Sequence, residues 1–411
     1  MEEKEKRIYN IAPAYYSRQD IQKAIFDFCQ KREAVPRHFD NFGKRPDTLE
    51  YPSEIIQYIK KGFTSFHCSE ELWADPLTLS TDLSKEQLDE LRQGWDLLID
   101  IDSKYLDYSK IACYLIIEAL KFHRIKNFGI KFSGSKGFHI IVPWKAFPEE
   151  INEQKTKAMF PDWPRIITEY IKHLINNKLV DKISDLTIKN RKKYIKDSEE
   201  AEKVVPDLVL VSSRHLFRAP YSLHEKGLAS VVIDETEIEN FNPKLADPFR
   251  VEIKNFYPEA EKDEARELLI SALDWYKENK KPEKQKTNKK FQEIKVDKSK
   301  ITYPPCITNI MKGLQDGKKR ALFIMINYFR SLRFEWEDIE KRITEWNKKN
   351  KPQLKQGYIQ AQLNWSKRQK PVLPPNCDKQ HYKGIAICNP DDCCKSIKNP
   401  VNYTIKKQFR K

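Results

Sequence analysis

The stretch LLIDID, Leu97–Asp102, sets two aspartates one residue apart inside an otherwise apolar run. Burying a carboxylate is costly unless something compensates its charge. Side chains of a strand alternate between faces, so Asp100 and Asp102 share one face while Ile99 and Ile101 share the other. Two like charges roughly 7 Å apart on one face repel and raise each other's pKa. A bound divalent cation removes that conflict, and oxygen-only ligation favours Mg²⁺ or Mn²⁺. A strand end where both acids reach water has the same local pattern, so the weight of the motif comes from its neighbours.

Working outward, Trp95–Asp102 reads as a strand and Tyr108–His123 as an amphipathic helix, with Ile111, Tyr114, Leu115, Ala119 and Leu120 at helical spacing. Asn127–Ser133 and Phe138–Val142 read as short strands joined by the tight turn GSKG, giving a β-α-β-β order. A helix over Trp163–Asn176 follows, then a charged loop, a β-prone run over Val204–Ser212 and a strand over Ala229–Ile233. The first ninety residues read as mostly helical, with SEEL from Ser69 and SKEQL from Ser84 as capping-box starts.

Two further segments supply chemistry. In FSGSKGFHI, Phe132–Ile140, two of the chain's 11 glycines, Gly134 and Gly137, bracket the turn. Glycine lets backbone approach a ligand closely, and Ser133, Ser135, Lys136 and His139 offer donors suited to a triphosphate. The spacing is not that of a Walker P-loop; an ordinary hairpin turn with incidental polar residues is the plain alternative. In PDLVLVSSRHLFRAPYSLHEKG, Pro206–Gly227, Asp207 opens a β-prone run and can supply a third carboxylate, with Asp185 as the fallback. Arg214, His215, Arg218, Ser222, His224 and Lys226 follow within a short span and suit a phosphate clamp. A solvated basic loop is the competing reading, but Leu216, Phe217, Pro220 and Tyr221 imply an anchored segment.

Across all 411 residues, 75 Lys+Arg against 60 Asp+Glu give a net charge of +15 and suggest a polyanionic partner such as nucleic acid. No apolar span reaches membrane length, and the charged start MEEKEKRIYN has no secretory-signal pattern, so a cytoplasmic protein is expected. The eight cysteines then argue against a disulfide framework and for metal ligation or core packing. The lysine-rich stretch Tyr276–Lys300, with ten lysines and few aliphatic residues, reads as a linker. It divides the chain into a catalytic candidate over 1–278, a linker over 279–300 and a smaller domain over 301–411.

Five cysteines fall in that last part: Cys306, Cys377, Cys388, Cys393 and Cys394. Successive gaps of 71, 11 and 5 or 6 residues, by subtraction, contain no C-x₂-C hook of the zinc-finger kind. A Cys₄ site for zinc, a [4Fe–4S] cluster and buried free thiols all remain open on spacing alone. Arg320, Tyr328 and Arg330 are the residues taken for nucleic-acid contact, from a set of basic and aromatic side chains many of which belong to amphipathic helices.

DID, SGSKGFH and a later aspartate followed by RHLFRAPYSLHEKG closely resemble, in order, the three motifs of the archaeo-eukaryotic DNA primase small catalytic subunit. The resemblance spans roughly Tyr15–Ile233, including REA at Arg32 and GFTSFHCSEELW from Gly62. It implies an α+β fold whose catalytic domain has an RRM-like mixed β-sheet core with flanking helices. It implies that Asp100, Asp102 and Asp207 are catalytic and hold two Mg²⁺ or Mn²⁺ ions, and that Ser133, Ser135, Lys136, His139, Arg218, Ser222 and His224 bind the nucleotide. PPCI, RALFIMINYFRSL, YIQAQLNW, PPNCD and CKSIKNPVNY, within about Ile301–Tyr403, resemble the iron–sulfur C-terminal domain of the archaeal primase large subunit. That implies a mostly α-helical domain with a [4Fe–4S] cluster on Cys306, Cys377, Cys388 and Cys394, the last preferred over Cys393. The large subunit's own N-terminal domain is expected to be missing, the two parts being fused directly. Cys29, Cys68 and Cys113 do not follow the small subunit's zinc pattern and read as core residues.

The expected activity is de novo synthesis of short primers on single-stranded DNA by two-metal nucleotidyl transfer, in the cytoplasm at the nucleoid. The expected partners are single-stranded DNA, nucleoside triphosphates and other replication proteins, with no membrane, the chain being able to act as a monomer. The rivals are a repair or bypass primase-polymerase, a non-catalytic nucleic-acid-binding protein and a two-metal nuclease.

Overall fold

A computed structural model describes all residues except 1–2, 40, 81–82, 190–206, 209–211, 280–300, 378–379 and 410–411; of residues 3–6, 207–208, 380 and 409 the backbone alone is described. The chain divides into two compact units, Met1–Glu283 and Lys284–Lys411. Residues 280–300, which hold nearly all of the expected linker, lie outside the described residues.

The first unit is α+β. Its strands are β1 (Ala34–His38), β2 (Asn41–Phe42), β3 (Ser65–Ser69), β4 (Glu71–Trp73), β5 (Arg92–Trp95), β6 (Leu97–Asp102), β7 (Gly129–Phe132), β8 (Phe138–Val142), β9 (Glu150–Ile151), β10 (Gln154–Lys155), β11 (Asp207–Leu208) and β12 (Leu216–Arg218). One sheet runs β11-β6-β8-β7 and a second β12-β3-β1-β2, with every strand pairing antiparallel. Leu97, Leu98, Ile99 and Ile101 are all buried, the mark of a strand covered on both faces. Helix Leu106–Phe122 packs on β6 and β8 and against helix Asp162–Lys189, which in turn packs on helix Arg266–Asn279. The other face meets the second sheet, where Phe217 of β12 lies 6.0 Å from the His139 ring.

Two buried ion pairs fasten the frame. The Arg32 guanidinium lies 2.5 Å from Asp96, whose other oxygen accepts from the Trp144 N–H and the Tyr257 hydroxyl. Arg92 donates twice to one Glu71 oxygen, and the Arg214 N–H donates to the other. Such pairs are tolerable inside a protein only when the remaining lone pairs are also satisfied, as they are here.

The N-terminal ninety residues carry more strand than their sequence suggests. SKEQL does open a helix with a capping box at Ser84, but SEEL does not: Ser69 ends β3 and Glu71 starts β4. The Ser69 hydroxyl accepts the Glu33 N–H and donates to the Glu71 carbonyl, while Glu71 pairs with Arg92 and Glu70 with His215. Tertiary partners override the local helix signal there. The helix expected over Trp163–Asn176 extends to Lys189, and Ala229–Ile233 contributes isolated bridges, Leu223 to Ala229 and Lys131 to Val232, rather than a strand.

The second unit is helical, with Lys318–Ser331 packed against Trp336–Lys349, Gln356–Arg368 and Pro400–Phe409. Its core contains Ile307, Met325, Phe329, Ile339, Trp346 and Leu363. No described helix is long and apolar enough to cross a membrane.

Candidate active site

The strand register answers what surrounds Asp100. On β6, β8 and β7, Asp100 pairs with His139 and His139 with Lys131, so one row crosses three strands on one face. Two residues further along β6, Asp102 pairs with Asp207 of β11. The backbone thus brings Asp100, Asp102 and Asp207 to adjoining positions, whereas Asp185 is an exposed residue of helix Asp162–Lys189.

Each member of the row has a perturbed charge. Burial pushes the Asp100 carboxyl up to about 6, Lys131 opposing the rise and Asp102 adding to it. Lys131 is wholly buried, and burial brings its ammonium down to about 7, against the pull of Asp100. Its Nζ donates to the Ser230 hydroxyl at 2.9 Å and lies over the rings of Phe217 and Phe256. His139 stays neutral, held far below its ordinary value by burial, with Lys131 and Arg218 adding to the effect. Its Nε2 is 3.3 Å from Asp100 Oδ1, a close contact of a neutral ring rather than an ion pair. Beside the row, burial raises Glu70 to about 7 although His215 Nδ1 lies 2.9 Å away, and Glu70 in turn raises His215.

The glycine-flanked turn closes directly over β6. A Cβ on Gly137 would lie 2.3 Å from the Ile101 carbonyl oxygen, and one on Gly134, at φ +93°, 2.6 Å from the His224 Cβ. Those glycines let the second and third motifs meet the first. Within the turn, the Ser133 hydroxyl accepts the Gly137 N–H at 3.2 Å and Lys136 donates to the Lys104 carbonyl. Lys226 of the third motif reaches the Ser135 hydroxyl at 2.5 Å. Arg218 is buried and His224 lies beside it, neutral because burial and Arg218 bring its ring down to about 4.

Some expected contacts are re-assigned. Ser222 is fully buried and its hydroxyl accepts the Phe66 N–H at 2.8 Å, fixing β3 against the third motif instead of facing a ligand. Tyr328 lies in the core of the helical unit, its hydroxyl 2.6 Å from that of Thr404, so it offers no surface to nucleic acid. Arg330 packs over Trp336 and donates to the Gln369 carbonyl, while Arg320 is exposed. Sequence reasoning passed over Lys131, Glu70, Arg37 and the buried His67, which β3 sets opposite Arg218 of β12. A lysine inside the apolar strand GIKF was the available signal for the first.

Among the described residues, no group of three or more His, Cys, Asp or Glu side chains is gathered tightly enough to hold a metal. The row is nonetheless suited to one: a desolvated carboxylate adjoins a second acid, and the buried Glu70 Oε2 and His139 Nδ1 have no hydrogen-bond partner among the described residues. In the helical unit, burial raises the Cys306 thiol to about 12, with Cys377, Cys394 and Cys388 each adding to the rise, so each of those three lies within electrostatic reach of Cys306. Cys393 is more buried than Cys394, and Cys394 is raised to about 11, first by burial. Cys29, Cys68 and Cys113 are buried in the first unit.

The segment that carries all three motifs matches a known family: residues 99–234 fit the family model of the DNA primase small subunit. Among curated proteins, the chain is similar to the DNA primase large subunit PriL of Thermococcus kodakarensis, 25% identical over 145 residues, 26% of this chain and 36% of that protein. PriL of Pyrococcus horikoshii is 26% identical over 160 residues, 29% of this chain and 41% of that protein. The uncharacterised protein MJECS07 of Methanocaldococcus jannaschii is 30% identical over 118 residues, 28% of this chain and 26% of that protein. The matched part thus spans about a quarter to two fifths of each relative. Among solved structures, the polymerase domain of Mycobacterium tuberculosis ligase D in complex with DNA aligns with a TM-score of 0.34 and 11% identity, over 66% of this chain and 89% of that one.

Asp100→Asn is expected to stabilise the metal-free protein at pH 8 by on the order of 1–3 kcal/mol. The carboxyl titrates higher in the folded than in the unfolded state, so its ionisation costs stability above about pH 6. That cost fades as pH falls toward the unfolded value. Thermal melts at pH 8 and pH 4 should therefore show the gain at the first pH and lose it at the second. Added Mn²⁺ should stabilise the wild type and leave the variant unmoved.

Proposed function

We propose that this chain is a DNA primase that starts short oligonucleotides on single-stranded DNA from nucleoside triphosphates. The observation that carries the reading is the row Asp100–His139–Lys131 with Asp102 and Asp207 at the next position, lying under a glycine-flanked cationic turn. The family match over residues 99–234 supports it. Asp100, Asp102 and Asp207 would hold two Mg²⁺ or Mn²⁺ ions, which when bound supply Lewis acidity toward an attacking 3′-hydroxyl and a leaving pyrophosphate.

The protein's own groups do the rest. Lys136, Lys226 and Arg218 offer fixed positive charge to the phosphate chain, and Ser133, Ser135 and the neutral His224 offer hydrogen bonds. His139 orients the Asp100 carboxylate through its Nε2. Lys131 opposes the rise that burial imposes on that carboxyl, and at about 6 the acid is still available as a ligand at neutral pH. Transfer of a nucleotidyl group needs positioning and charge neutralisation rather than a side-chain nucleophile, which matches a site rich in carboxylates and cations.

The helical unit is proposed to carry a [4Fe–4S] cluster on Cys306, Cys377, Cys388 and Cys394, tying together segments far apart in sequence. Its basic surface, with Arg320 exposed, would hold template and the 5′ end of the primer. We place residues 1–278 in the catalytic domain and 301–411 in the iron–sulfur domain, joined by the lysine-rich segment 279–300, in a cytoplasmic protein working with nucleoid DNA and other replication proteins.

Incubated with unprimed single-stranded DNA, nucleoside triphosphates and Mn²⁺, the protein should yield short oligomers, and Asp102→Ala should lower the yield at least about a hundredfold. Extension of a supplied 3′ end without unprimed synthesis would indicate a repair polymerase instead. Purified without air, the protein should be brown and contain about four iron and four sulfide per chain; Cys306→Ser should lose both. Colourless protein with one zinc per chain would remove the cluster.

A further inference from the structure

The buried guanidinium of the third motif, Arg218, is not open to solvent: a carboxylate already sits on it. Glu225 faces Arg218 Nη2 with both oxygens, at 3.0 and 2.9 Å. Its Oε1 also accepts from Arg37 Nη1 at 3.0 Å, and its Oε2 is 3.3 Å from His224 Nδ1. Both carboxylate oxygens on one guanidinium nitrogen, one of them shared with a second guanidinium, occupy charged donors that could equally take phosphate oxygens.

The cations and the acid are held differently. Arg218 is 7% exposed, and its Nη1 donates to the Leu223 carbonyl, whose own residue is fixed by the Tyr16 hydroxyl on its N–H. Glu225 is 24% exposed and projects from the turn His224–Gly227, closed by the Gly227 N–H on the His224 carbonyl with Gly227 at φ +83°. Its carboxylate partners are the cations themselves. Burial would raise this acid, but Arg218 and His224 outweigh it and hold it below the usual carboxylate range, so it is ionised at neutral pH. A change of side-chain rotamer would free the guanidinium edge without moving the backbone that positions Arg218.

We propose that Glu225 is a phosphate placeholder: in the ligand-free protein its carboxylate occupies the arginine edge that a triphosphate takes, and nucleotide entry displaces it. This rests on reading the cradle as a triphosphate site. The arrangement keeps the buried Arg218 and the half-buried Arg37 compensated while the site is empty. It also sets a threshold on anions, since a ligand must offer these cations more than the carboxylate does. A polyphosphate chain, with several charges and oxygens spaced along it, meets that threshold.

Isothermal titration of inorganic tripolyphosphate into the full-length protein tests it. Glu225→Gln, which retains a carbonyl acceptor for Arg218 but no charge, should bind tripolyphosphate about tenfold more tightly than wild type. Equal or weaker binding by the variant, with wild type binding normally, overturns the placeholder and leaves the nucleotide site standing. No binding by either protein overturns both. A crystal structure of wild type with tripolyphosphate gives a second reading that needs no variant. The Glu225 carboxylate should lie beyond hydrogen-bond distance of Arg218 Nη2, and retention of that contact would overturn the proposal.

Discussion

The first unit is organised around an ionisable row placed where a sheet would ordinarily be apolar. Asp100, His139 and Lys131 lie side by side across three strands, and Lys131 and His139 are almost completely removed from water. Each is tolerable because of the others. The carboxylate opposes the loss of the Lys131 charge, the lysine opposes neutralisation of the carboxylate, and the neutral imidazole between them needs no counter-charge. Replacing the row by aliphatic residues would suit packing better, which is why its retention in the middle of a core sheet points to chemistry rather than to stability.

The surrounding structure serves that row. The helices on one face supply the apolar burial that fixes the register of β6, and a slip of one residue would turn Asp100 and Asp102 toward those helices. On the other face, Arg32, paired with Asp96, donates to the Ser69 and Glu70 carbonyls and Arg92 pairs with Glu71, which together hold Glu70 between β3 and β4. Gly137 lets the turn descend onto the Ile101 carbonyl, so the serine and lysine donors reach the end of the strand where the acids sit.

Much of this was legible in the sequence, and the failures have definite causes. The D-x-D spacing on an apolar run gave the strand and the shared face of its acids, and the glycine-flanked turn gave the hairpin that follows. Local signals misled where a polar group had a distant partner. SEEL resembles a helix start, but Glu70 and Glu71 are matched to His215 and Arg92, residues 145 and 21 positions away. Ser222 looks like a ligand contact in a basic segment, yet its hydroxyl is spent on the Phe66 N–H, 156 positions away. Tyr328 falls on the buried face of a helix whose polar and apolar sides are not cleanly separated. The role of Lys131 depends on two strand registers at once, information that periodicity along one segment does not contain.

Asp100 and Asp102, with Asp207 beside them, are proposed to form a cation site facing the cradle built by the turn and the third motif. Anomalous diffraction from crystals grown with Mn²⁺ and a nucleoside triphosphate tests it most directly. Manganese peaks coordinated by Asp100 and Asp102 are expected, with the phosphate chain running toward Lys136 and Arg218. Manganese bound elsewhere, with both aspartates free of metal while nucleotide occupies the protein, would contradict it.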